Sequence, residues 1–283
     1  VYKRQAFNMS GIKNKMTELD GDVSYIGLPT SVIHSLNFDQ EVSRSAIGQP
    51  IGSFYAYKED GLFQSEAEIK SYTNNKGELL QPNAKPGDIK FVDVNGDGVI
   101  DGNDRDYIGN PLPDVTAGLT LGVNFHNFDL SLFFQGMFGN DVYDLTRYVG
   151  DFYNQSQYNK NSRVVNAWTP TNTNTDIPRV TMDDPNNNIR PSSYYVQDAS
   201  FVRLKNMKIG YSVPQSILSK IKFNSLYIYA QATNLFTITG YDGIDPEVGL
   251  QSYSSDYRNL DMGVDRGIYP LSRTFTFGVN VSF

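Results

Sequence analysis

The residues with the clearest capacity for chemistry lie in one run, Asp93-Val94-Asn95-Gly96-Asp97-Gly98-Val99-Ile100-Asp101-Gly102-Asn103-Asp104. Asp or Asn at alternate positions followed by Gly is the opening of a calcium loop. A hard divalent cation takes roughly six to eight oxygen ligands, and side chains at alternate loop positions can converge on it. Asp93, Asn95 and Asp97 stand at the first, third and fifth positions. Gly98 permits the sharp turn that follows, and Val99 would offer its backbone carbonyl. Ile100 is expected to point inward as an anchor. Asp101 would act through water, and Asp104 would close the coordination sphere.

Two departures qualify the match. Asp104 stands where an EF-hand has the longer Glu, and no amphipathic helices flank the run. The loop therefore resembles the isolated calcium loops of dockerin-like modules, with Ca²⁺ in a structural role. A turn rich in Asn, Asp and Gly that needs no metal has the same composition, and the residues leave both readings open.

Other chemistry is poorly supported. No G-x-S-x-G elbow, Walker A loop, H-E-x-x-H or G-x-G-x-x-G run is present. Cysteine is absent, which removes thiol nucleophiles, disulfides and Cys-ligated metals. The two histidines, His34 and His126, read as structural. Asp183-Asp184 offers a carboxylate pair of the kind used in glycoside hydrolysis, but adjacent Asp residues in a loop read first as turn formers. No enzyme is expected. With 24 Lys and Arg against 31 Asp and Glu, the net charge of −7 argues against nucleic-acid binding and against a helix drawn to anionic lipid.

The elements that must carry these loops are strands. Aromatic residues make up 13% of the chain, yet it is hydrophilic on average. That combination fits strands with one apolar and one wet face. Phe275, Phe277, Val279, Val281 and Phe283 alternate with Thr274, Thr276, Gly278, Asn280 and Ser282. Ala117 to Phe125 repeats the pattern, His126-Asn127 reads as a turn, and Phe128 to Gln135 alternates again. Each of the paired strands is about ten residues, the length of a tilted membrane crossing rather than of an ordinary soluble strand. Phe201–Tyr211 and Leu226–Phe236 are further strands, and Ala6–Lys13 and Ser53–Tyr57 are weaker ones. A short helix is expected at Ser65–Tyr72, with Ser65 as its cap and Glu68 at capping-box spacing. No run is long and apolar enough for a transmembrane helix, which says nothing against a transmembrane barrel. The connections Tyr143–Asp198 and Thr237–Pro270 are long, polar and rich in Asn, Asp and Pro. Long loops at one end and tight turns at the other are the outer-membrane barrel asymmetry.

Taken in order, these residues resemble the SusC/RagA-type TonB-dependent outer-membrane transporters of Bacteroidota. The resemblance rests on Gly48-Gln49-Pro50-Ile51-Gly52-Ser53-Phe54-Tyr55, Asp60-Gly61-Leu62-Phe63-Gln64 and Pro86-Gly87-Asp88-Ile89-Lys90-Phe91. It continues through Tyr107-Ile108-Gly109-Asn110-Pro111, Phe133-Phe134-Gln135-Gly136, Ala167-Trp168-Thr169-Pro170 and Phe201-Val202-Arg203-Leu204-Lys205-Asn206. Asn234-Leu235-Phe236, Asp245-Pro246-Glu247 and Arg273-Thr274-Phe275-Thr276-Phe277-Gly278 complete it. Each run is weak alone; in this order they span most of the chain.

The resemblance implies an all-β fold, an antiparallel transmembrane β-barrel segment with long extracellular loops. Residues 1–283 would be the C-terminal part of a barrel of about 22 strands, with the acidic loop 93–104 inside an extracellular loop. It implies import of glycans, oligosaccharides or peptides with a SusD-like surface lipoprotein. Energy would come from TonB–ExbB–ExbD through an N-terminal part, including the plug, that this chain does not contain. Phe283 would be the terminal aromatic read by the barrel-assembly machinery. Trp168 and loop tyrosines become candidates for sugar stacking. At roughly 25–30 residues per strand with its connection, about ten strands are expected. The competing reading is a secreted soluble β-sandwich that binds carbohydrate and carries a calcium loop.

Overall fold

The computed structural model describes residues 1–27, 41–153, 159–249 and 262–283. His34 lies outside the described residues. Six long strands form one antiparallel sheet: β1 (Tyr2–Gly11), β2 (Val115–Phe125), β3 (Phe128–Phe138), β4 (Phe201–Ser212), β5 (Ser225–Thr233) and β6 (Thr274–Ser282). Spatial order follows chain order, each strand pairing with the next. Two facing sheets, as a sandwich requires, are not what these strands build. Among the described residues the long strands number six rather than the ten or so expected, and the connections 12–114, 139–200 and 234–273 take up more chain than that expectation allowed. Near its end β5 breaks at Asn234, in the left-handed region at φ 51°, and Thr237–Thr239 resumes pairing with β4.

Register explains the alternation. Phe275, Phe277, Val279 and Val281 of β6 lie opposite Ala232, Ala230, Ile228 and Leu226 of β5. The row continues through Met207, Ile209 and Tyr211 of β4, then Leu132, Leu130 and Phe128 of β3, then Leu121, Val123 and Phe125 of β2. It is exposed to the surroundings: Phe277 is 80% and Phe275 62% accessible. Such a continuous apolar face needs lipid or protein against it. Phe128 and Tyr211 meet at 4.6 Å between ring centres at the tight-turn end, where a barrel carries its interfacial aromatics.

The opposite face is polar. Asp129, Ser131 and Gln135 share it with Lys208, Gln231, Thr276 and Asn280. Tyr227 donates to Asp129 at 3.0 Å, and the Lys208 ammonium lies 5.0 and 4.8 Å from the Tyr227 and Tyr229 rings. Glycines make room for these rings. A Cβ at Gly278 would sit 2.3 Å from Tyr229, and one at Gly210 would sit 2.0 Å from the Tyr227 hydroxyl.

The two ends of the sheet differ as expected. At one end lie the two-residue turn His126–Asn127 and the connection 213–224, with the short helix Gln215–Ile221. The Ser212 amide donates to Asn127 there, and the Asn224 amide to Ser282. All three long connections leave from the other end. The main hydrophobic core lies entirely within them: Val42, Phe54, Ile89, Phe91, Tyr143, Leu145, Tyr195 and Val264 are almost inaccessible, and none belongs to β1–β6. The long connections are thus a packed body standing on a strand wall.

Short pairings knit that body. Ser53–Tyr57 forms as expected, between Ser43–Ala46 and Arg105–Gly109. Asp141–Asp144 runs antiparallel to Val196–Asp198 and parallel to Val264–Asp265, so the second and third connections are tied at their base. The expected helix is Glu66–Ser71, where Ser65 accepts from the Glu68 amide at 3.2 Å and Glu68 accepts from the Gln64 amide at 2.7 Å.

Candidate functional site

The acidic loop is held by its own side chains. Both oxygens of Asp93 accept backbone amides, from Gly96 at 2.7 Å and Gly98 at 2.8 Å. Asn95 accepts from the Asp97 amide, and Asp97 from the Val99 amide. Asp101 caps a single turn of 3₁₀ helix, Gly102–Asp104, and accepts from the Asn103 amide at 2.7 Å. Asp104 is fully buried and takes amides from Val94, Asn95 and Asp101. Gly98 makes the expected turn at φ 88°, and Ile100 packs against the core as its anchor. The donor set is oxygen throughout, the kind a hard cation takes. Among the described residues, no three His, Cys, Asp or Glu side chains come together in a group fit to hold a metal ion. Asp104 anchors the turn rather than facing outward.

Other sequence candidates are also structural in place. Asp184 accepts the Asn188 and Ile189 amides in a turn of positive φ. His126 occupies the β2–β3 turn at φ 52°. Trp168 is 7% accessible, its indole N–H donating to Gln64 and its ring lying over Gly87. As a sugar-stacking platform it is corrected to a core residue. Phe283, at 89%, is exposed just beyond β6.

A buried polar chain joins the first and second connections. Gln81 accepts from the Phe91 amide and donates to Ile89 O and Asn186. Asn188 accepts from the Ile89 amide and donates to Asp88, which also receives Arg179 at 2.6 Å. Buried polar groups persist when each has a partner, and these side chains satisfy the short strand Ile89–Phe91.

Sequence reading passed over the charged groups that line two cavities in the body. One, of about 580 Å³, lies between β4 and the third connection, with Arg203, Phe236, Tyr269 and Arg273 on its walls. Arg203, almost wholly buried, bonds Asp245, Glu247 and Thr237. Burial alone would raise the Asp245 pKa; the Glu247 amide and Arg203 outweigh it and hold the carboxyl below its usual range.

The second cavity, of about 570 Å³, shares Ile244 with the first and lies between the second and third connections. Arg147 and Arg163 line it. Arg147 is buried, donates to Tyr194 O at 2.7 Å and reaches Asp242 at 2.9 Å. Arg163 lies 3.1 Å from Asp176, 3.5 Å from Asp151 and 4.0 Å from Asp242. Two buried carboxylates also lie on this wall, and Asp144 is itself 3.5 Å from Arg147. Asp144 accepts from Thr146 and Gln197, and Asp265 from Tyr241, Gly267 and Ile268. Burial raises the Asp144 pKa. The available signal was a charge set among aromatics, as in Tyr143-Asp144-Leu145-Thr146-Arg147-Tyr148.

No family model matches the sequence. Curated relatives do. TonB-dependent receptor P3 of Formosa agariphila is 38% identical over 279 residues, covering 98% of this chain and 26% of the receptor. TonB-dependent receptor P26 of the same organism is 34% identical over 97% of the chain. TonB-dependent receptor SusC of Bacteroides thetaiotaomicron is 27% identical over 98% of the chain and 24% of its own length. The chain thus spans about a quarter of the length of these relatives. The solved structure of the RagAB peptide transporter matches 99% of the chain and 27% of its own, with a TM-score of 0.70 at 22% identity. Over nearly its whole length the chain is thus similar in sequence to TonB-dependent receptors, SusC among them, and similar in fold to part of the RagAB transporter.

Proposed function

We propose that this chain is the C-terminal part of an outer-membrane importer that takes up glycans, oligosaccharides or peptides together with a SusD-like surface lipoprotein. The observation that carries this reading is the polarity of the sheet. A continuous apolar row covers one face from β2 to β6, a wet wall the other, and all long connections gather at a single end. A barrel arc in lipid needs such rows, since unpaired backbone and charge are costly there. The packed body is the extracellular side that meets lipoprotein and substrate, and the turn end is periplasmic. Energy reaches the protein through TonB–ExbB–ExbD and a plug supplied by the rest of the polypeptide. The role is transport, not catalysis. Phe283 serves as the aromatic handle for the barrel-assembly machinery. Calcium at Asp93, Asn95, Asp97, Val99, Asp101 and Asp104 belongs to the same reading as a structural ion, supported by spacing.

Orientation is the direct test. This chain supplies no cysteine of its own. In the full-length protein in cells, Val165→Cys, at a residue 85% exposed on the body, is expected to react with a membrane-impermeant maleimide. Asn127→Cys, in the tight turn, is expected to react only after the outer membrane is permeabilised. The reverse pattern, or equal labelling, would refute the proposed topology.

A further inference from the structure

We propose that the cavity between the second and third connections is a binding site for a carboxylate group of the imported molecule, and that Asp242 fills it from within when substrate is absent. The inference rests on the importer reading and deepens it by naming the substrate chemistry.

Arg147 and Arg163 approach one point on the cavity wall from two parts of the second connection. Arg147 is fixed from behind by Tyr194 O and stacks on the Tyr194 ring at 5.4 Å. Arg163 is held by a hydrogen bond to Asp176 at 3.1 Å and lies 3.5 Å from buried Asp151. Both cations therefore hold their positions without a ligand, the condition under which a guanidinium pair recognises an anion at low entropic cost.

The point they face is taken by Asp242, 2.9 Å from Arg147 and 4.0 Å from Arg163. Its side chain is 59% exposed, whereas Asp144 and Asp265 are buried, Asp265 spent on internal donors and Asp144 on internal donors and on Arg147 at 3.5 Å. Of the three carboxylates on this wall, Asp242 is the one that can move away without stranding a buried charge. A ligand carboxylate taking its place gains a charge-assisted hydrogen bond from Arg147, with the Arg163 cation at ion-pair distance beside it. Thr146, Asn161 and Ser162 add neutral donors and acceptors around the same space. A volume of about 570 Å³ lies within the range of small-ligand pockets, enough for one or two residues of an oligomer. A uronic-acid sugar and an acidic peptide present the same group.

The test uses the full-length transporter with its lipoprotein, purified in detergent. Binding is measured for an oligogalacturonate and a glutamate-rich peptide, with a neutral oligosaccharide and an uncharged peptide as controls. Asp242→Asn, at an exposed residue, removes the internal competitor and leaves the fold intact. It is expected to tighten binding of one acidic probe about fivefold, while Arg163→Gln weakens it about tenfold. The acidic probe that responds names the source of the carboxylate. If neither acidic probe binds the Asp242→Asn protein better than the unaltered one, or if neutral probes gain equally, the proposal is overturned. Correct surface labelling of Val165→Cys with no acidic preference would remove this inference and leave the importer reading standing.

Discussion

Replacing Phe277 with Lys puts the strand-face assignment at risk most directly. Phe277 lies mid-way along β6, opposite Ala230, within an apolar row that runs across the sheet to β2. Its neighbour Thr276 lies opposite Gln231 on the wet face. Because side chains alternate strictly along a strand, these adjacent residues face opposite solvents. A Lys on the lipid face near mid-membrane costs about 2–4 kcal/mol, roughly a 30- to 700-fold shift against the assembled barrel. The same Lys at Thr276 meets water and polar side chains and costs little. The assay is the fraction of full-length protein recovered from the outer membrane in the heat-modifiable form of a closed barrel. Phe277→Lys is expected to fall sharply and Thr276→Lys to stay near the unaltered level. Normal assembly of Phe277→Lys with failure of Thr276→Lys would reverse the two faces. Equal loss from both would mean that the position, not the face, matters.

Two further outcomes follow from the body on top of the sheet. Gly87→Ala should loosen it without stopping the barrel. At φ 88° a Cβ is strained, and it would sit 2.4 Å from Trp168 and 2.8 Å from Arg179, while the Gly87 amide and carbonyl are held by Phe63 and Arg179. Strain and overpacking together cost about 2–5 kcal/mol. Faster protease cleavage near 162–190 on intact cells, with heat-modifiability unchanged, is expected; unaltered protease resistance would show that the Trp168 contact does not hold the body together. If the acidic loop takes up calcium, chelation should expose Asp93–Asp104 to cleavage and added Ca²⁺ should restore protection, more weakly in Asp97→Ala; protection indifferent to chelator would leave the amide bonds of Asp93 and Asp104 as the whole support.

The strands were legible because their pattern is local. β2, β3 and β6 alternate residue by residue, and the turn at His126–Asn127 is where the alternation breaks. The helix at Glu66–Ser71 was legible from Ser65 and Glu68 for the same reason. Partnership over long separations was not. Arg147 and Asp242 are far apart in sequence, and nothing local in either residue announces the other. Trp168 was misread because an aromatic in a polar, Pro-rich stretch looks exposed. Its burial depends on Gly87 and Gln64, in a different connection. The acidic run was legible as a turn and ambiguous as a cation site, since the same oxygens serve backbone amides and metal ions.

The separation of core from strand wall has a mechanical consequence. A strand wall in lipid cannot stabilise loops by burying them, because its apolar face is given to the membrane and its other face to water. Loops of this length would therefore be loosely ordered unless they made their own interior. They do so with Phe54, Phe91, Tyr143 and Tyr195 at the centre and with Gln81, Asn186, Asn188 and Asp88 satisfying the buried backbone between them. The body then meets the strands through few charged contacts, of which Arg203 with Asp245 and Glu247 is the most buried. Breaking a buried pair on one side strands its partner and costs about 3–5 kcal/mol. Arg203→Met should therefore release the third connection from β4 more readily than it disturbs either the core above or the strand pairing below.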